Sequence, residues 1–133
     1  MRTTALLIAF ATLIASTAGS QSREIIIMGG GSQDRFLGCL TCGEFTQDSV
    51  WNQYSRHGWE NKFGTWNRFG EHANPYGPNS ACNQFGTNAP VLVDRQGEFY
   101  GRLSVNEYAE GSVCGVNGAP QICRALKVMC ADS

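Results

Sequence analysis

The chain has 133 residues, with ten Lys and Arg against eleven Asp and Glu and a formal charge of −1. That balance, without any basic run, excludes nucleic acid as a partner, because a phosphate-binding surface needs a clear excess of positive charge. Sixteen glycines and six cysteines point instead to a turn-rich fold held by covalent bridges.

Residues 1–20 read as a secretory signal. Arg2 gives the positive start, Ala5 to Ala15 an apolar run too short to span a bilayer, and Ser16 to Ser20 the small residues of a cleavage site. Residues 21–133 are then expected to form one β-rich domain, secreted or periplasmic, with no membrane insertion after cleavage. Its parts are a first hairpin in 24–47, a turn array in 48–88, a second hairpin in 89–108 and a Cys-rich tail in 109–133.

The first hairpin pairs the apolar run Ile25 to Met28 with a strand read from Phe36 to Phe45, across the flexible Gly29-Gly30-Gly31-Ser32. A related phrase returns 63 residues later, where Phe99 to Tyr108 aligns with Phe36 to Phe45 without gaps. Val91-Leu92-Val93 precedes it, and Asp94-Arg95-Gln96-Gly97 is a strong hairpin turn. Alternation along these strands predicts that Phe36, Gly38, Leu40 and Cys42 are buried in one copy, and Phe99, Gly101, Leu103 and Val105 in the other. Tyr100, Arg102, Ser104 and Asn106 then share the polar face.

Between the hairpins one short phrase recurs: Asn52-Gln53-Tyr54-Ser55, Asn61-Lys62-Phe63-Gly64, Asn67-Arg68-Phe69-Gly70, Asn74-Pro75-Tyr76-Gly77 and Asn83-Gln84-Phe85-Gly86. Asn bonds its own backbone two residues on, and Gly permits a left-handed step, so each copy is expected to be a tight turn with one inward ring. Trp51, Trp66 and Cys82 each stand just before an Asn of the array, which predicts an inward position for all three.

An even number of cysteines in an exported domain reads as three disulfides. Cys39 and Cys42 point to opposite faces of an extended strand, so they are not expected to bond each other without a bulge. Cys42–Cys82 is the first choice and Cys39–Cys82 the second. Cys114 and Cys123 flank the Asn117-Gly118 turn and suit a bridge across it, which leaves Cys130 to reach back to Cys39. Ile122 to Cys130 fits either a short helix, with Ile122, Leu126 and Met129 on one face, or a strand.

Phe36-Leu37-Gly38-Cys39-Leu40-Thr41-Cys42, Asp48 to Tyr54, the Asn-x-aromatic-Gly units, Ala89 to Asp94 and Gly97 to Asn106 resemble a family of small exported bacterial proteins. That family carries repeated Ser-x-x-Asn-x-Tyr-Gly units between two Phe-x-Gly-x-Leu strands. The resemblance implies a fold and an exported address, but no chemistry. This chain departs from it in Phe63, Phe69 and Phe85, where the family has Tyr, and in the tail after Gly111.

Reactive motifs are few. Cys39-Leu40-Thr41-Cys42 lies in a strand pattern, not at the helix start that a redox pair needs, and no second Cys or His pair completes a zinc site. His57 and His72, with Glu60 or Glu71 as partner, are the acid–base candidates of a small secreted hydrolase or effector. No catalytic set, cofactor or metal is otherwise indicated. Exposed rings are the better lead, with Trp59, Tyr100 and Tyr108 as binding candidates and Arg102 beside them on the polar strand face. The first reading is thus a non-enzymatic exported module binding glycan, cell-wall polymer or protein. A hydrolase using His57 or His72 and a structural envelope protein are the alternatives.

Overall fold

A computed structural model describes residues 23–131; the signal-like segment lies outside them. The protein is small, mainly β and turn-rich. It has a four-stranded antiparallel sheet, three disulfides and a short C-terminal helix.

The strands are β1 (Ile26–Gly29), β2 (Arg35–Cys39), β3 (Val91–Val93) and β4 (Phe99–Arg102), in the order β2-β1-β3-β4. At the centre Ile27 faces Leu92, and the two hairpins lie on either side of that pair. Each hairpin shifts register once, between Ile27 and Met28 in one and Leu92 and Val93 in the other. Each outer strand bends at a glycine, Gly38 at φ 143° and Gly101 at φ 149°, where a side chain would be strained. Two isolated bridges, Cys39 to Ser49 and Arg102 to Ser112, repeat the 63-residue offset.

The bends and the short strands correct the alternation expected from sequence. β2 ends at Cys39 and β4 at Arg102, so no pleat runs on to Phe45 or Tyr108. Leu37, Gly38, Cys39 and Leu40 are buried in succession, Phe99 is half exposed, and Ser104 and Asn106 are buried. Both polar residues are satisfied there. Ser104 Oγ accepts from the Asn106 amide at 3.0 Å, and Asn106 Nδ2 donates to the Gly86 carbonyl at 2.8 Å.

Beyond β2 the chain advances by three-residue turns that share their corner residues. Backbone bonds between residues three apart run without a break from Gly43 to Gly70, through Thr46, Ser49, Asn52, Ser55, Gly58, Asn61, Gly64 and Asn67. Three such turns bring the chain back over itself: the amides of Trp59, Thr65 and Ala81 donate to the carbonyls of Val50, Arg56 and His72, each nine residues earlier. The crossings are tight. A Cβ at Gly58 or Gly64 would collide with the carbonyl oxygens of Asn52 and Arg56, so neither position admits a side chain without a backbone shift.

The helix α1 (Pro120–Ala131) resolves the ambiguity of the tail. Pro120 suits its first turn, where no intrahelical donor is lost. Leu126 and Met129 face the core as the helical reading expects, with Ile122 partly buried against it and Cys123 buried beside them. Cys123 and Cys130 lie seven residues apart on that side, and each is tethered. Cys114–Cys123 forms as expected, whereas Cys82 bonds Cys130 and Cys39 bonds Cys42. The Cys42–Cys82 and Cys39–Cys130 expectations are therefore corrected. Because β2 stops at Cys39, the chain bends through Leu40 and Thr41 and returns Cys42 to its neighbour, with Cα atoms 5.6 Å apart.

The core joins the sheet, the turn coils and α1 through Ile27, Leu37, Val50, Trp66, Leu92, Leu103 and Leu126.

Candidate functional site

Polar side chains fill the inside of each turn corner. Asn Oδ1 accepts from the amide two residues on in all five copies, at Tyr54, Phe63, Phe69, Tyr76 and Phe85, over 2.9–3.1 Å. Asn106 does the same for Tyr108. The Nδ2 groups of Asn52, Asn61 and Asn83 reach six residues back, to the carbonyls of Thr46, Ser55 and Gly77. Ser49, Ser55 and Ser80 cap their own turns in the same manner.

With the corner occupied by Asn, the ring two residues later is held outward. Tyr54, Phe63, Phe69, Tyr76, Phe85 and Tyr108 are each four fifths or more exposed, as is Phe45. This overturns the expectation of inward rings. The residues that do point inward come just before an Asn or one place earlier: Trp59, Trp66, Ala73, Ala81 and Cys82. Trp66 and Cys82 thus sit as expected, while Trp51 is 46% exposed. The signal that marks the outer set is the nine-residue coil length, which separates Phe45, Tyr54 and Phe63, and again Tyr76 and Phe85. The 15- and 16-residue spacing of the Trp–Trp–Cys frame obscures it.

Two clefts meet at Trp51. One is a shallow trough between Phe45 and Tyr54, floored by Asn52 and edged by Glu44, Gln53 and Glu60. The other, of about 290 Å³, lies between the first coil and α1 and is lined by Val50, Trp51, Trp59, Ala125, Val128 and Met129, with Gln53, Glu60 and Lys62 at its rim. A line of rings runs inward from it. Trp51 meets Trp59 edge to face at 4.9 Å, Trp59 meets Trp66 at 6.4 Å, and Trp66 meets His72 at 6.4 Å.

The candidates named from sequence do not converge. Trp59, expected at the surface, is 7% exposed and forms a wall of the apolar cleft. It stands one place before Glu60 and fills the inward position of its coil. Tyr100 is partly exposed, but its hydroxyl donates to Asp94 Oδ2 at 3.1 Å inside a network with Glu98 and Arg23. Arg102 Nη1 donates to the Ala89 carbonyl and so braces the approach to β3. Tyr108 is exposed on the Asn106 turn rather than on β4.

Among the described residues neither histidine hydrogen-bonds a carboxylate. His57 Nδ1 shares a 3.0 Å hydrogen bond with Thr65 Oγ1, and the ring packs on Phe36. His72 is buried against Trp66, and its Nδ1 has no hydrogen-bond partner. Glu71, the carboxylate beside it in sequence, is engaged with Arg35 and Asn79. Burial holds the pKa of both histidines below the usual imidazole value, and Arg56 adds to the effect at His57. The unfolded chain therefore takes up protons first. Stability is full above about pH 6.5 and falls as the pH drops from there. The melting temperature should decline between pH 7 and pH 5, and His72→Leu should flatten that slope. An unchanged slope in the variant would remove His72 from the account.

A scan against protein-family models finds no match, and searches of curated proteins and of solved structures find none.

Proposed function

We propose that this is an exported, non-enzymatic module that binds a glycan chain through its outward rings. The observation that carries the reading is the exposure of every ring that follows a capping Asn. Scattered single rings need no partner, but here a ring recurs exposed at the same place in successive turns, which is the pattern of an interaction surface. Each Asn fixes the backbone that carries its ring, so backbone freedom is already lost before binding.

The surroundings favour sugar over other partners. The rings are set apart by Asn, Gln and Ser rather than merged into one apolar patch, unlike the centre of a protein interface. A sugar ring offers a C–H face for stacking and hydroxyls for neighbouring amides. A purely structural envelope role leaves the exposed rings without a purpose. The exported address rests on the signal-like residues 1–20 and on three disulfides, which persist in oxidising compartments. Among the described residues no helix is long and apolar enough to cross a membrane.

The test is binding of the purified protein to a panel of soluble and insoluble glycans. Each stacked ring contributes on the order of 1 kcal/mol, so Tyr54→Ala with Tyr76→Ala should weaken binding roughly thirtyfold. Both side chains are exposed, so the melting temperature should stay nearly constant. Absence of glycan binding, or equal binding by the double variant, would refute the reading.

A further inference from the structure

We propose that the cleft between the first turn coil and α1 receives the acetamido group of a 2-acetamido sugar, an inference that rests on the glycan-binding reading and narrows it to N-acetylated chains. The cleft holds about 290 Å³. That is at the small end of ligand pockets, which start near ~300 Å³, and suits one substituent or one ring rather than a length of polymer.

Its chemistry is apolar with a single unmet demand. Val50, Trp51, Ala125, Val128 and Met129 offer apolar surface for a methyl group. Three indoles lie in this region, and two are satisfied: Trp51 Nε1 donates to the Leu40 carbonyl at 2.7 Å and Trp66 Nε1 to the His57 carbonyl at 3.1 Å. Trp59 Nε1 is buried without an acceptor. A buried N–H left unpaired is rare and unfavourable; the Trp59 ring lies in the cleft wall, so a small rotation on binding would bring that N–H to a ligand oxygen and relieve it. An acetamido group combines the methyl the walls accept with the carbonyl oxygen the indole lacks. Its amide N–H would find a carboxylate acceptor in Glu60 at the rim.

Position supports the same ligand. The cleft shares Trp51, Gln53 and Glu60 with the trough between Phe45 and Tyr54. A sugar chain lying on those rings can therefore direct a substituent at carbon 2 into the cleft.

The experiment is calorimetric titration of the full domain with triacetylchitotriose and with cellotriose, which differ in the acetamido groups. The acetylated trisaccharide should bind about tenfold more tightly, the worth of one hydrogen bond with its methyl contact. Trp59→Phe keeps the ring and loses no bond within the protein, while Val128→Glu blocks the cleft from an exposed helix position. Each should abolish the preference, so that the acetylated trisaccharide binds no more tightly than cellotriose. Equal affinities in the native protein, or a preference surviving Val128→Glu, would overturn the proposal while the ring-stacking reading stands. If neither sugar binds, this proposal falls, and the glycan panel decides the ring-stacking reading by itself. Where the preference holds, depletion by chitin beads against depletion by bacterial sacculi separates the two natural sources of such chains.

Discussion

Replacing Cys82 and Cys130 together by serine should lower the melting temperature by about 15 °C, more than the loss of either other bridge. The reason lies in loop length. The Cys82–Cys130 bridge spans 48 residues of sequence and ties the end of the turn array to the last turn of α1. Removing a cross-link of that span frees the unfolded chain by about 4 kcal/mol on the chain-entropy account. In a domain of this size that is roughly 4 °C per kcal/mol. Cys114–Cys123, with a separation of 9, should cost about 3 kcal/mol, and Cys39–Cys42, with a separation of 3, the least. Scanning calorimetry on the three serine pairs gives the order directly. A Cys39/Cys42 variant as damaged as the Cys82/Cys130 one would show that strain or local packing outweighs chain entropy. The long bridge also holds Ala125, Val128 and Met129 against the first coil, so its loss should erase any acetamido preference before the fold itself is lost.

Much of this was readable in the residues, and the failures share a cause. The hairpin pair was legible because Phe36-Leu37-Gly38 and Phe99-Tyr100-Gly101 carry their glycine at the same place, and that glycine is where both outer strands bend. The Asn turns were legible because an Asn side chain readily accepts from the backbone amide two residues on and so favours a turn where it stands. The direction of the rings was not. A tight turn has room inside for either the capping amide or the ring. The array gives the corner to Asn, which bonds both the amide two residues on and a carbonyl six residues back. Hydrophobicity alone favours the ring inside, so a reading based on it errs.

The sulfur pairing failed for a related reason. Face alternation applies only while the pleat continues, and β2 ends at Cys39. Nothing in Cys39-Leu40-Thr41-Cys42 announces that stop. It follows from the bend at Gly38, where an added Cβ would lie 2.8 Å from Val50. The apolar cleft was harder still to foresee, because it joins residues 50–62 to 125–129 through a helix whose seating depends on two disulfides. Trp59 falls outside the Trp–Trp–Cys frame, which favours an exposed ring, yet the nine-residue coil closed by its amide on the Val50 carbonyl turns it inward.

Trp66→Ala is expected to be the most damaging single substitution in the array. The side chain is 1% exposed, packs against the edges of Trp59 and His72, and donates from Nε1 to the His57 carbonyl. Truncating a buried Trp to Ala costs about 4 kcal/mol, since transfer free energy is lost and a cavity is left behind. The turns cannot close over that cavity, because the crossing at Gly64 already leaves no space for a Cβ next to the Arg56 carbonyl. Trp66→Phe should cost less, about 1–2 kcal/mol, mostly from the His57 carbonyl losing its donor. Chemical denaturation followed by circular dichroism measures both. The same experiment bears on function, because Trp66 supports Trp59, and Trp59 meets Trp51 at the mouth of the cleft. Trp66→Phe should therefore retain sugar binding at a temperature where Trp66→Ala has lost it. A Trp66→Ala protein within about 1 kcal/mol of the native one would mean that the line of indoles is not the element on which the coils are built.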